Sequence, residues 1–218
     1  MADTPQRGKV EDFNRAECCR FKCNQIDPVK SLVVGYRQLY SSDWENCLNQ
    51  KWSVGDCVTG CHNDTYGAPD RHCSLNRNSH QYCVSTQAIN EAIEKLSGRP
   101  LTPHAADSFE DFYEWVSDTI KTIHGIGDLS VYDTALRMGR HFAKDGKHYP
   151  IEPQKYVYLH KGALWGAEAL QRISRLGTDY INPDLRLDYR IAINEFCDDL
   201  QSLGANHLEN FLCIYHNL

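Results

Sequence analysis

The feature that most constrains this chain is a pair of glycines, Gly125 and Gly127, set between two stretches of helical apolar periodicity. Upstream, Phe109, Phe112, Tyr113, Val116, Ile120 and Ile123 recur at spacings that line one face of a helix beginning at Asp107 or Ser108. Glu110, Asp111 and Glu114 put negative charge in its opening turns, where the helix dipole favours it. Downstream, Val131, Ala135, Met138 and Phe142 share a second face, and Gly146 and Pro150 end that helix. Two apolar stripes of this kind have to be buried. The pattern over 107–143 therefore predicts two helices turned back on each other through Gly-Ile-Gly.

Further helices are expected around this unit. Leu32, Val33, Tyr36, Leu39 and Tyr40 predict one from Val29 to about Gln50, with Trp44 ending or extending it. Ser85 caps another, whose face carries Ala88, Ile89, Ala92, Ile93 and Leu96 and which Gly98 and Pro100 stop. Helices follow over 162–176, 183–203 and from Asn206 onward, the last with Leu208, Phe211, Leu212 and Tyr215 as its docking stripe. Residues 156–159 read as a short strand or an extended connector. At 41 % hydrophobic and 11 % aromatic residues, the chain of 218 can bury a sizeable core. No apolar run approaches the roughly 20 residues that span a bilayer, so no membrane association is expected. Residues 1–10 show no apolar core of a secretory signal, and an intracellular location is the expectation.

The segment from Ile123 to Ser130, with a helix on either side, resembles the helix–hairpin–helix motif of DNA-repair and related proteins. The resemblance covers about residues 107–165. It implies contact with the phosphate backbone of double-stranded DNA through Gly125, Ile126, Gly127 and Ser130, with Lys161 nearby. The physical basis is that glycines permit a tight turn and close approach. Unpaired amides at the following helix start also favour an anion. The alternative is a purely structural αα turn with Ile126 plugging the space between the helices, and Asp128 would bring a carboxylate beside any phosphate. Base-excision glycosylases of the same family carry a lysine just after the second glycine, where this chain has Asp128-Leu129-Ser130. They also carry an aspartate at the place occupied here by Leu159-His160-Lys161-Gly162. A standard glycosylase is therefore not expected, because the carboxylate that would stabilise a developing sugar cation is missing.

The architecture expected is mainly α: a single multi-helix globular domain over 29–218 that contains the helix–hairpin–helix unit. A weakly ordered arm over 1–28 precedes it, and a long irregular Cys/His-rich loop occupies 53–83. Eight of the ten cysteines precede residue 84. Within the loop, Cys57, Cys61, His80 and Cys83 are candidate ligands of a structural zinc ion, which would order an unpatterned stretch. Free thiols and disulfides are the alternatives, and Cys197 and Cys213 read as buried small hydrophobes.

The net charge of −6 opposes indiscriminate polyanion binding. Residues 120–165 nevertheless hold seven Lys or Arg against four acids, around the glycine turn. The leading reading is a nucleic-acid-associated protein whose binding weakens steeply with salt. A second is an enzyme acting on a nucleic-acid base or sugar, with His160, Lys161, Tyr132 or Asp133 near the reacting atom; an Asp133 that is exposed, or that pairs with Arg137 four residues on, is the plainer role. A third is a protein-interaction module that uses the Cys/His loop as contact surface.

Overall fold

The computed structural model describes residues 28–49, 53–59, 84–141, 143–144, 147–148, 150–172 and 190–215. In chain order the helices are α1 (Pro28–Leu39), α2 (Ser41–Leu48), α3 (Val54–Thr59), α4 (Thr86–Gly98), α5 (Phe109–Ile120) and α6 (Asp128–Arg140). They continue with α7 (Lys161–Arg172), α8 (Asp198–Gln201) and α9 (Ala205–Ile214). Four short strands pair two by two, β1 (Ala143–Lys144) with β2 (Lys147–His148) and β3 (Tyr156–Tyr158) with β4 (Arg190–Ala192), both antiparallel. The chain is thus mainly helical, and no described helix is long and apolar enough to cross a membrane. The sequence treats 29–218 as one domain; the structure divides into two compact units, residues 47–153 and residues 1–46 with 154–218.

In the 47–153 unit, serines set where helices begin. The Ser85 hydroxyl accepts from the Ala88 N–H at 3.2 Å, and the Ser108 hydroxyl from the Asp111 N–H at 3.1 Å, opening α4 and α5. Ser53 and Asp56 cap each other reciprocally: Ser53 Oγ accepts from the Asp56 N–H at 3.1 Å and the Asp56 carboxylate accepts from the Ser53 N–H at 2.9 Å. That exchange satisfies two otherwise unpaired amides and starts α3. The expectation of an irregular loop from residue 53 is corrected at this point, because 54–59 is helical; residues 60–83 lie outside the described set. The α5 stripe is buried as expected through Phe109, Phe112, Val116 and Ile120, joined by Trp115. Helix α6 goes further: every residue from Ser130 to Arg137 is buried, and Gly139 as well. Its sequence shows one apolar face, yet Asp133 and Arg137 are also inside, paired at 3.3 Å, and the Arg137 guanidinium donates to the Cys57 carbonyl at 3.0 Å. An ion pair satisfied in this way lets a polar face enter a core that periodicity assigns to water.

In the other unit, Val33, Tyr36, Val157, Leu170, Leu200, Leu208 and Phe211 belong to one core. Helices α7 and α9 pass so closely that a Cβ on Gly166 would lie 2.0 Å from the Leu212 carbonyl oxygen. Residues 156–158 are a strand, in register Tyr156↔Ala192, Val157↔Ile191 and Tyr158↔Arg190. That pairing also overturns the helix expected over 183–203. Its described part holds β4, a 3-10 turn at Ile193–Glu195 and only four residues of α helix. Ile191 is buried while its backbone satisfies Val157, a tertiary gain that local spacing does not encode. Helix α1 starts at Pro28, a residue suited to the first helical turn, and α2 continues past Trp44. The stripe Leu208, Phe211, Leu212 and Tyr215 is buried as expected. Cys197 and Cys213 are half-buried, not fully inside, with Cys197 at the N-cap of α8.

Candidate nucleic-acid interface

The turn between α5 and α6 is built in four steps. Lys121 closes α5 with its N–H on the Ser117 carbonyl, and the Ile123 N–H reaches the Ile120 carbonyl at 3.0 Å. Gly125 then adopts φ +94°, a conformation that costs an L side chain about 1–2 kcal/mol, and this reverses the chain. Ile126 turns inward and is 7 % exposed, with its N–H on the Ile123 carbonyl at 3.1 Å. Gly127 is the N-cap of α6 in extended geometry, and its carbonyl accepts from the Val131 N–H at 3.1 Å.

What this leaves over is a set of donors. The amides of Gly125, Gly127, Asp128, Leu129 and Ser130 reach no carbonyl among the described residues, and no side chain caps α6. Both glycines are exposed, and a Cβ built on either meets nothing within 4 Å. First-turn amides point out along the helix axis, so an anion of phosphate size has donors to meet. The sequence-nominated residues divide accordingly. Gly125 and Gly127 are open, Ile126 is the plug between the helices, and the Ser130 residue is buried while its amide is unbonded.

Lys121 was not singled out from the sequence, though its seven-residue spacing to Asp128 brackets the turn. Its ammonium is ion-paired with the Asp128 carboxylate, both side chains being about two-fifths exposed or slightly less. Burial lowers the Lys121 pKa from its ordinary value. Asp128 sits in the first turn of α6, where the dipole favours it, and its charge is offset by Lys121 instead of standing alone before the turn.

Of the nominated catalytic residues, Tyr132 and Asp133 belong to the 47–153 unit. Tyr132 is 0 % exposed, with its ring edge-on to Phe109 at 6.0 Å, and Asp133 is 3 % exposed in its pair with Arg137. His160 is 3 % exposed and stacks on Tyr158 at 6.5 Å. It and Lys161, the first residue of α7, belong to the other unit. Tyr132, Asp133 and His160 are enclosed in packing, each 3 % exposed or less. Of the nominated metal ligands only Cys57 is described: it is buried on α3, and burial pushes its thiol up to about 12. Cys61, His80 and Cys83 lie outside the described residues, and among those described no three His, Cys, Asp or Glu side chains could hold a metal ion. In comparisons with known proteins, no protein-family model, no curated protein and no solved structure matches this chain.

Proposed function

We propose that this protein associates with nucleic acid by seating a backbone phosphate of double-stranded DNA on the Gly125–Gly127 turn. The observation that carries the reading is that the amides of Gly125, Gly127, Asp128, Leu129 and Ser130 reach no carbonyl among the described residues, behind two exposed glycines. A tight turn needed only for packing is free to cap its second helix with Ser, Asp or Asn; here a glycine stands at the N-cap and leaves the amides bare. Contacts of this kind fix position without reading sequence. The reading is noncatalytic, since Tyr132, Asp133 and His160 are enclosed in packing.

The test is fluorescence anisotropy of a labelled duplex across a salt series, comparing the native chain with Gly127→Asp. Aspartate is a favoured N-cap, so α6 keeps or gains a few tenths of a kcal/mol. The new carboxylate takes a first-turn amide and repels phosphate. Native binding should weaken with log salt at a slope of about −1 per phosphate engaged. The variant should bind at least tenfold more weakly with an unchanged melting temperature. Undetectable native binding at low salt, or equal binding by a folded Gly127→Asp variant, would overturn the proposal.

A further inference from the structure

A second polar constellation lies in the other unit, where residues more than 160 positions apart form one chain of hydrogen bonds. Glu45 Oε1 is 2.7 Å from His207 Nε2, and His207 Nδ1 is 3.0 Å from the Tyr36 hydroxyl. Asn210 Nδ2 donates to that same hydroxyl oxygen at 3.0 Å. With Nε2–H donating to the carboxylate, Nδ1 is left to accept from the phenol, so donors and acceptors alternate from Asn210 through to Glu45. A carboxylate, an imidazole and a hydroxyl in this order can activate a nucleophile. Tyr36 is wholly buried, however, and burial holds its phenol well above the ordinary tyrosine range. The hydroxyl meets no substrate.

What the relay does hold is α2. Residues 41–46 of that helix contribute no side chain to the buried apolar core. Among the described residues, two adjacent side chains attach them to this unit: Trp44 Nε1 donates to Asn206 Oδ1 at 2.9 Å, and Glu45 meets His207. Just before them, Tyr40 rests edge-on against Tyr215. Eight residues are too few for a helix to persist unaided in water, so the order of α2 depends on these attachments over 41–46, on the Trp44 N–H bonded back to the Tyr40 carbonyl, and on Leu48, buried at its far end. The same helix contains the step from Asn46 to Cys47, where the chain passes from one compact unit to the next.

We infer that Glu45, His207 and Tyr36 form a latch that docks the connecting helix α2 onto α9, and that α2 opens by releasing this latch while the core beneath stays folded. Helices attached by few apolar contacts and by half-exposed hydrogen bonds are those that open locally. Glu45 and His207 are the water-reachable end of the relay, at 34 % and 18 % side-chain exposure, and Tyr36 is its anchored end.

Amide hydrogen exchange of the full chain, followed by mass spectrometry, tests this with three variants. Glu45→Ala raises intrinsic helix propensity, yet it should speed exchange over 41–46 at least tenfold while 161–172 and 205–214 keep their rates. Glu45→Gln, which retains an acceptor for His207, should restore most of the protection. Tyr36→Phe lies outside α2 and should nonetheless speed exchange there selectively. Unchanged exchange over 41–46 in Glu45→Ala, or equal acceleration through all helices of the unit in both Glu45→Ala and Tyr36→Phe, would overturn the latch.

Discussion

Substituting alanine for Gly166 tests the packing of α7 against α9. An alanine Cβ would lie 2.0 Å from the Leu212 carbonyl oxygen, 2.6 Å from its carbon and 2.9 Å from its Cα. Ordinary contact begins at 3.4 Å, so the backbone of α9 would have to withdraw by about 1.4 Å. All three atoms are main chain, and no rotamer change relieves the clash. Overpacking of a core costs about 1–3 kcal/mol and more when backbones must part. Alanine returns about 1 kcal/mol of helix propensity. The net loss expected is about 2 kcal/mol, or a melting temperature lower by roughly 4–8 °C for a chain of this size. Gly98→Ala is the control: the site lies at the end of α4 with nothing within 4 Å, and that variant should match or exceed the native stability. Thermal and urea unfolding of the two variants side by side decides the matter. If Gly166→Ala is as stable as Gly98→Ala, the close crossing is wrong and the packing argument for this unit falls with it.

Two further outcomes follow from the geometry. Asp128→Asn removes the carboxylate beside the turn and frees Lys121, so duplex affinity should rise about three- to tenfold at low salt and converge with native above 0.5 M; unchanged affinity in a salt titration would place the phosphate elsewhere. Cys57 should resist alkylation: burial raises its thiol from 9.0 to about 12, so at pH 8 its thiolate fraction is about a thousandfold below that of the exposed group. Peptide mass spectrometry after iodoacetamide should find it labelled only once the chain is unfolded, and native-state labelling at the unfolded rate would refute the burial.

The helices that sequence reveals are those whose instructions are local. Ser85 and Ser108 announce α4 and α5, and the α5 stripe is buried as its spacing requires. Ser53-x-x-Asp56 carries the same message in weaker form, missed because glycines nearby imply an irregular stretch. The four-residue spacing of Asp133 and Arg137 foretells their pairing, while their burial depends on α3 and α5 closing over α6. Strand β4 is invisible locally, because what makes residues 190–192 extended is a partner more than thirty positions earlier. The Glu45–His207–Tyr36 relay is hidden for the same reason. For the candidate interface, the glycine positions were legible, but the openness of their amides and the Lys121–Asp128 pair depend on how the turn is set.

The enclosure of α6 has a consequence for how its leading end meets a ligand. A helix gripped on nearly all sides from Ser130 to Arg137 cannot pivot or fray without tearing its unit apart. Donors at its tip are therefore fixed in direction before any encounter, and association spends little entropy on arranging them. If the turn seats a phosphate as proposed, recognition there should be rapid and lock-like, with the visitor's strand adjusting to the protein.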